Sequence, residues 1–145
     1  PEARLILATR DHIEFPGAEI VPVHDFAALR QILARDAVVV SPRVSWSGYP
    51  IKLLNAMAAA KPIVACRSAA HPLEHERNGL VIDDNDEDTF AAAAVRLMRD
   101  PALRAQLGTA ARRDIEDHHT PTQFAEGLEQ IFARVLASST RVEQH

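Results

Sequence analysis

Short runs of aliphatic and β-branched residues alternate with stretches of helical period along the first half of the chain, and this alternation constrains the fold more than any other feature. Leu5 to Leu7, Ile20 to Val23, Ala37 to Val40, Pro62 to Ala65 and Leu80 to Ile82 are apolar at consecutive positions. Strands covered by helices on both faces have this pattern. Between the second and third lies DFAALRQILARD, with Phe26, Leu29, Ile32 and Leu33 at helical spacing and Asp25 placed to cap. The alternation predicts an α/β fold, a Rossmann-like parallel sheet of about five strands flanked by helices. Beyond Ile82 only helical patterns remain: Asp86 to Arg99, Pro101 to Asp117 and Pro121 to Ala137. Asp100-Pro101 and Thr120-Pro121 each pair a cap with a proline at the first helical position, so a three-helix C-terminal tail is expected.

With 145 residues, 47% of them hydrophobic and 25% charged, the chain suits one domain with a core of its own. A formal charge of −4 gives no bulk electrostatic reason to expect nucleic acid or an anionic membrane as partner. No apolar run approaches the ~20 residues that span a bilayer, and PEARLILATRDH lacks the regions of a signal peptide, so a cytoplasmic location is expected. The single cysteine, Cys66, ends an apolar run, where a small buried thiol is common.

Two motifs suggest metals and fail on their chemistry. In DDNDED, counting from Asp84, the EF-hand positions that need Gly and Glu are Thr89 and Val95, so these carboxylates read as helix-capping groups. HPLEH, His71 to His75, matches the H-x-x-E-H zinc signature, yet Asn78-Gly79 ends any helix within a turn. A Pro-initiated surface turn is the better reading, and no metal is expected.

The stretch SPRVSWSGYP, after the third strand, is placed to touch a ligand, because open α/β sheets bind beyond the carboxyl ends of their strands. Ser47 can cap the helix that follows, Gly48 lets backbone approach closely, and Pro50 suits a first turn. The open N–H groups around Tyr49 and Ile51 would face an anion, with Lys52 one turn in and Arg43 and Arg67 at neighbouring strand ends. A phosphate-like ligand is expected.

SGYPIKLLNAMAAAKPIVA, from Ser47 to Ala65, resembles the donor-domain pattern E-G-[FY]-[GP]-x-x-x-L-E-A-M-A-x-G-x-P-V-V-A of GT-B glycosyltransferases of the large group 1 (family 4) class. Asn78-Gly79-Leu80-Val81 is similar to the family's N-G-L-L-V. Arg99 to Arg104 and Leu107-Gly108 resemble its D-D-P-x-L-R-x-x-L-G. All three stand in the family's order.

The resemblance implies that the chain is one half of a GT-B fold, the C-terminal donor-binding domain. It implies a nucleotide sugar, UDP- or GDP-linked, as substrate and partner, with no cofactor. Donor-binding positions would be Ser47, Gly48, Tyr49, Pro50, Ile51, Lys52 and Asn55, with Gly48 to Ile51 cradling the diphosphate. The family's two Glu residues, on donor sugar and ribose, are here Ser47 and Asn55. Losing two charge-assisted contacts would cost about 2–4 kcal/mol of donor binding. Ala60 stands where the family usually has Gly, which implies a slightly different helix end. The family's N-terminal acceptor domain and the first βα unit of the donor domain have no counterpart, so the domain is expected to be incomplete, inactive alone and open to self-association at its exposed sheet edge. The alternative is a degenerate, non-catalytic binding or partner module.

Overall fold

The computed structural model describes residues 3–45, Gly48 and residues 50–142. Among these, β1 (Leu5–Thr9) and β2 (Ala18–Pro22) lead to α1 (Phe26–Leu33) and β3 (Val39–Ser41). Next come α2 (Ile51–Ala58), β4 (Ile63–Cys66), a 3₁₀ turn (Arg67–Ala69) and β5 (Leu80–Ile82). The chain closes with α3 (Glu87–Arg99), α4 (Pro101–His118) and α5 (Pro121–Val142).

Every strand pairs with a parallel neighbour, but the five do not join into the single sheet that the alternation predicts. β1 pairs with β2, Leu5 opposite Ala18, while β3, β4 and β5 form a second sheet with β4 in the middle. β3 is three residues long, shorter than expected, and among the described residues pairs only with β4. Apolar runs report burial on both faces; they say nothing about which edges pair. The 10–17 connection between β1 and β2 contains no helix, unlike the usual crossover between parallel neighbours. No residue of β1, β2 or α1 is buried.

The core is built instead on both faces of β3-β4-β5. Side chains alternate across a strand. Ile63 and Ala65 of β4 therefore pack with Leu53, Ala56 and Met57 of α2 and Ala111 of α4. Val64 packs on the other face with Leu80, Ile82, Ala93, Leu97 and Leu107. α4 contributes to both clusters. Each fully buried Leu, Ile or Met contributes about 1.5–3 kcal/mol, which makes residues 53–111 the stable heart of the chain.

The starts of α1, α3, α4 and α5 follow the sequence. Asp25, Asp86 and Asp100 accept from the N–H groups of Ala28 (2.7 Å), Thr89 (3.0 Å) and Leu103 (2.9 Å). Thr120 and Gln123 form a reciprocal capping box: Gln123 N–H donates to Thr120 Oγ1 (3.3 Å) and Thr120 N–H to Gln123 Oε1 (3.0 Å). The expected difference at the end of α2 is absent. Ala60 takes the left-handed φ of +54° that a glycine would supply. Ala60 N–H donates to Met57 O (2.8 Å) and Lys61 N–H to Ala56 O (3.0 Å), the paired bonds of a Schellman turn. Gly108 of α4 packs against that turn, where a Cβ would lie 2.2 Å from Ala60 O.

α5 leaves its apolar face uncovered. Phe124, Leu128, Ile131, Phe132 and Val135 fall on one face as a core-facing helix requires, but all are exposed, Phe124 at 70% and Phe132 at 62%. The period shows that a face exists; it does not bring anything to cover it. Among the described residues no helix is long and apolar enough to cross a membrane.

Candidate functional site

β3, β4 and β5 run in the same direction, so their carboxyl ends share one edge, and α2, the crossover from β3 to β4, begins there. Of the predicted site residues, Ser47 and Tyr49 lie outside the described residues. Gly48 has φ +72°, a backbone that side-chain-bearing residues rarely adopt, so glycine is required by conformation. The cap position of α2 belongs to Pro50, which makes no side-chain cap hydrogen bond; the expected capping at Ser47 is three residues too early. Proline already fixes a helix-compatible φ but offers neither a side-chain acceptor nor an N–H.

The result is an open helix start. The ladder begins with Leu53 and Leu54 N–H on Pro50 O at 2.9 and 3.1 Å. The N–H groups of Ile51 and Lys52 therefore have no acceptor within the helix, and the positive end of the dipole faces out. Ile51 and Lys52 are exposed, and Asn55, one turn on, is half-buried. Together they can meet an anion with a hydroxyl-bearing group next to it.

Arg67 is not the free cation that its position suggested. It follows β4 directly, and its Nε donates to Asp83 Oδ1 at 2.5 Å. Ser68 N–H donates to Asp84 Oδ1 at 3.1 Å and Ser68 Oγ to Asp84 Oδ2, bonds that hold the Asp84 carboxyl below its usual range. Cys66 lies beneath, buried, its thiol pushed up by burial and by Asp84, which fits an inert packing role. The acidic run that sequence reasoning assigned to capping thus divides its work. Asp86 caps α3, while Asp83 and Asp84 tie the ends of β4 and β5 together.

The loop with the zinc-like motif is a structural tie. His75 Nδ1 accepts from Val81 N–H at 3.1 Å, and among the described residues no group of three His, Cys, Asp or Glu is arranged to hold a metal. Asn78 has no exposed surface; its Oδ1 accepts from Glu74 N–H at 2.6 Å and its Nδ2 donates to Asp114 Oδ2. Arg77 donates to Asp114 Oδ1 at 2.8 Å and holds Glu74 through two bonds, at 2.7 and 2.9 Å. Arg77 first, and Asn78 after it, hold the Asp114 carboxyl below its usual range against the opposing effect of burial.

A groove at the carboxyl ends of β1 and β2, lined in part by Arg10, His12, Pro22 and His24, was not anticipated from sequence. The rule that singled out the loop after β3 applies equally to the residues leaving β1 and β2.

Parallel strands that present a helix start and two further loops at one carboxyl edge define a Rossmann-like α/β domain. The chain belongs to a particular family within that class: the family model described as glycosyl transferases group 1 matches residues 2–100. An exopolysaccharide phosphotransferase of Streptomyces coelicolor is 31% identical over 112 residues, 72% of this chain and 11% of that protein. A GDP-mannose-dependent alpha-(1-6)-phosphatidylinositol monomannoside mannosyltransferase of Mycobacterium tuberculosis is 30% identical over 107 residues, 70% of this chain and 27% of that protein. HepE of Anabaena, whose crystal structure contains UDP, superposes with a TM-score of 0.67 at 18% identity, over 84% of this chain and 32% of that one. The chain thus spans a small part of the curated relatives' length, between 11% and 27% in these two.

Proposed function

We propose that the chain is the donor-binding half of a glycosyltransferase and holds the diphosphate of a UDP- or GDP-sugar against the start of α2. The open N–H groups of Ile51 and Lys52 at the carboxyl edge carry this reading. Lys52 adds a positive charge, Gly48 admits the phosphate close to backbone, and Asn55 meets the ribose. The groove past β1 and β2 would take the base. A GDP-mannose-dependent relative and a UDP-bound structural neighbour support a nucleotide-linked donor. Transfer requires an acceptor held beside the donor, and the relatives that this chain matches are several times longer than the matched part, so residues beyond this donor half would hold the acceptor. No metal or cofactor enters this scheme.

Calorimetric titration with UDP and GDP tests it. One of the two should bind, and Lys52→Ala should weaken it severalfold; absence of binding by either, also in a longer protein containing this chain, would overturn the reading. The missing carboxylate at Asn55 favours a second reading, a non-catalytic module that keeps the fold. Asn55→Glu separates them: a donor site should bind its nucleotide about tenfold tighter through a charge-assisted bond, whereas a module that has abandoned nucleotides should show no gain.

A further inference from the structure

Resting on the donor-site reading, we propose that Arg67 is a second phosphate ligand of that site and that Asp83 is the residue that positions it. β3 and β4 are parallel neighbours with Ser41 opposite Ala65, so Arg43 and Arg67 leave the sheet on adjacent strands roughly 4.8 Å apart. α2 joins these two strands and opens over the same edge. Arg67 therefore shares that edge with the exposed N–H groups of Ile51 and Lys52.

The tether leaves its working end available. Among the described residues Nε alone is engaged, by Asp83 Oδ1 at 2.5 Å, which leaves both Nη groups for another acceptor. A guanidinium fixed at Nε presents that pair in one plane, the fork that matches two phosphate oxygens. The mounting is rigid. Asp83 directly follows β5, whose Ile82 lies opposite Cys66, so the ion pair links the ends of neighbouring buried strands. Ser68 is pinned twice to Asp84, and Ala70 N–H closes the turn on Arg67 O at 3.3 Å. Arg67 and Asp83 are themselves 64% and 72% exposed, and an ion pair so placed adds little to stability. Such a pair on a rigid mount is suited to aiming a cation instead.

The test compares wild type with Arg67→Ala, Arg67→Lys and Asp83→Asn in the full chain, titrated calorimetrically with UDP, GDP, their monophosphates and the free nucleosides. Arg67→Ala should weaken the diphosphate about tenfold and leave the nucleoside unchanged. Arg67→Lys should retain part of the difference, because it keeps charge without the fork. Asp83→Asn should lose about threefold on the diphosphate alone, at an unchanged melting temperature. Diphosphate affinity that survives Arg67→Ala, or that falls in step with nucleoside affinity, would overturn the inference while sparing the donor site. Failure of the wild type to bind any of these compounds would remove both.

Discussion

Ala60 carries a conformation that its side chain disfavours. A left-handed φ costs an L-residue about 1–2 kcal/mol, while glycine returns roughly half of that as extra freedom in the unfolded chain. Ala60→Gly should therefore stabilise by about 0.5–1 kcal/mol and raise the melting temperature by about 2 °C, read by calorimetry. Gly108 faces the same turn with the opposite outcome. Its added Cβ would sit 2.2 Å from Ala60 O and 2.9 Å from Ala60 C, backbone atoms that can yield only if α2 or α4 moves. Gly108→Ala should cost about 3 kcal/mol in denaturant titrations. Sequence disclosed that Ala60 replaces a glycine but not that the turn survives the exchange. Surrounding hydrogen bonds outweigh the local preference.

Between elements, Asp114 fastens α4 to the 71–79 loop through Arg77 and the buried Asn78. Asp114→Ala would leave Asn78 Nδ2 with only the 3.5 Å contact to Pro72 O and should cost about 2 kcal/mol at neutral pH. The folded carboxyl titrates below its unfolded value of about 3.9, so its contribution is complete above that pH and is lost as pH falls through the lower folded value. The gap between wild type and Asp114→Ala, measured by urea midpoints, should therefore be constant from pH 7 to about 5 and close below about 4. Helix starts were legible in sequence to within a residue, at Asp25, Asp86, Asp100 and Thr120, because a cap acts over three residues. The exposure of α5 was not legible. Covering a stripe such as Phe124 to Val135 depends on partners distant in sequence.

Over the whole molecule, stability is unevenly distributed. Every buried side chain among the described residues lies between Leu53 and Ala111, whereas β1, β2 and α1 contribute none, and β1 and β2 form their own two-stranded sheet. Native-state hydrogen exchange should find β4 and β5 amides opening only with global unfolding and β1 and β2 amides opening several kcal/mol below it. Equal protection of both sheets would contradict this division. The parallel α/β class could be read from composition runs, since burial on both faces leaves a local trace. The break between β1-β2 and β3-β4-β5 could not, since pairing is decided by what lies alongside each strand.

The contact between Gly108 and the Ala60 carbonyl also gives the sequence a direction of drift. Position 60 can return to glycine at any time, because the carbonyl it presents is backbone and stays in place. Position 108 has no such latitude, since every other residue brings a Cβ into that carbonyl. One partner of the contact admits glycine as well as alanine and the other admits glycine alone, so lineages carrying this domain should exchange these two residues at 60 long before they change at 108.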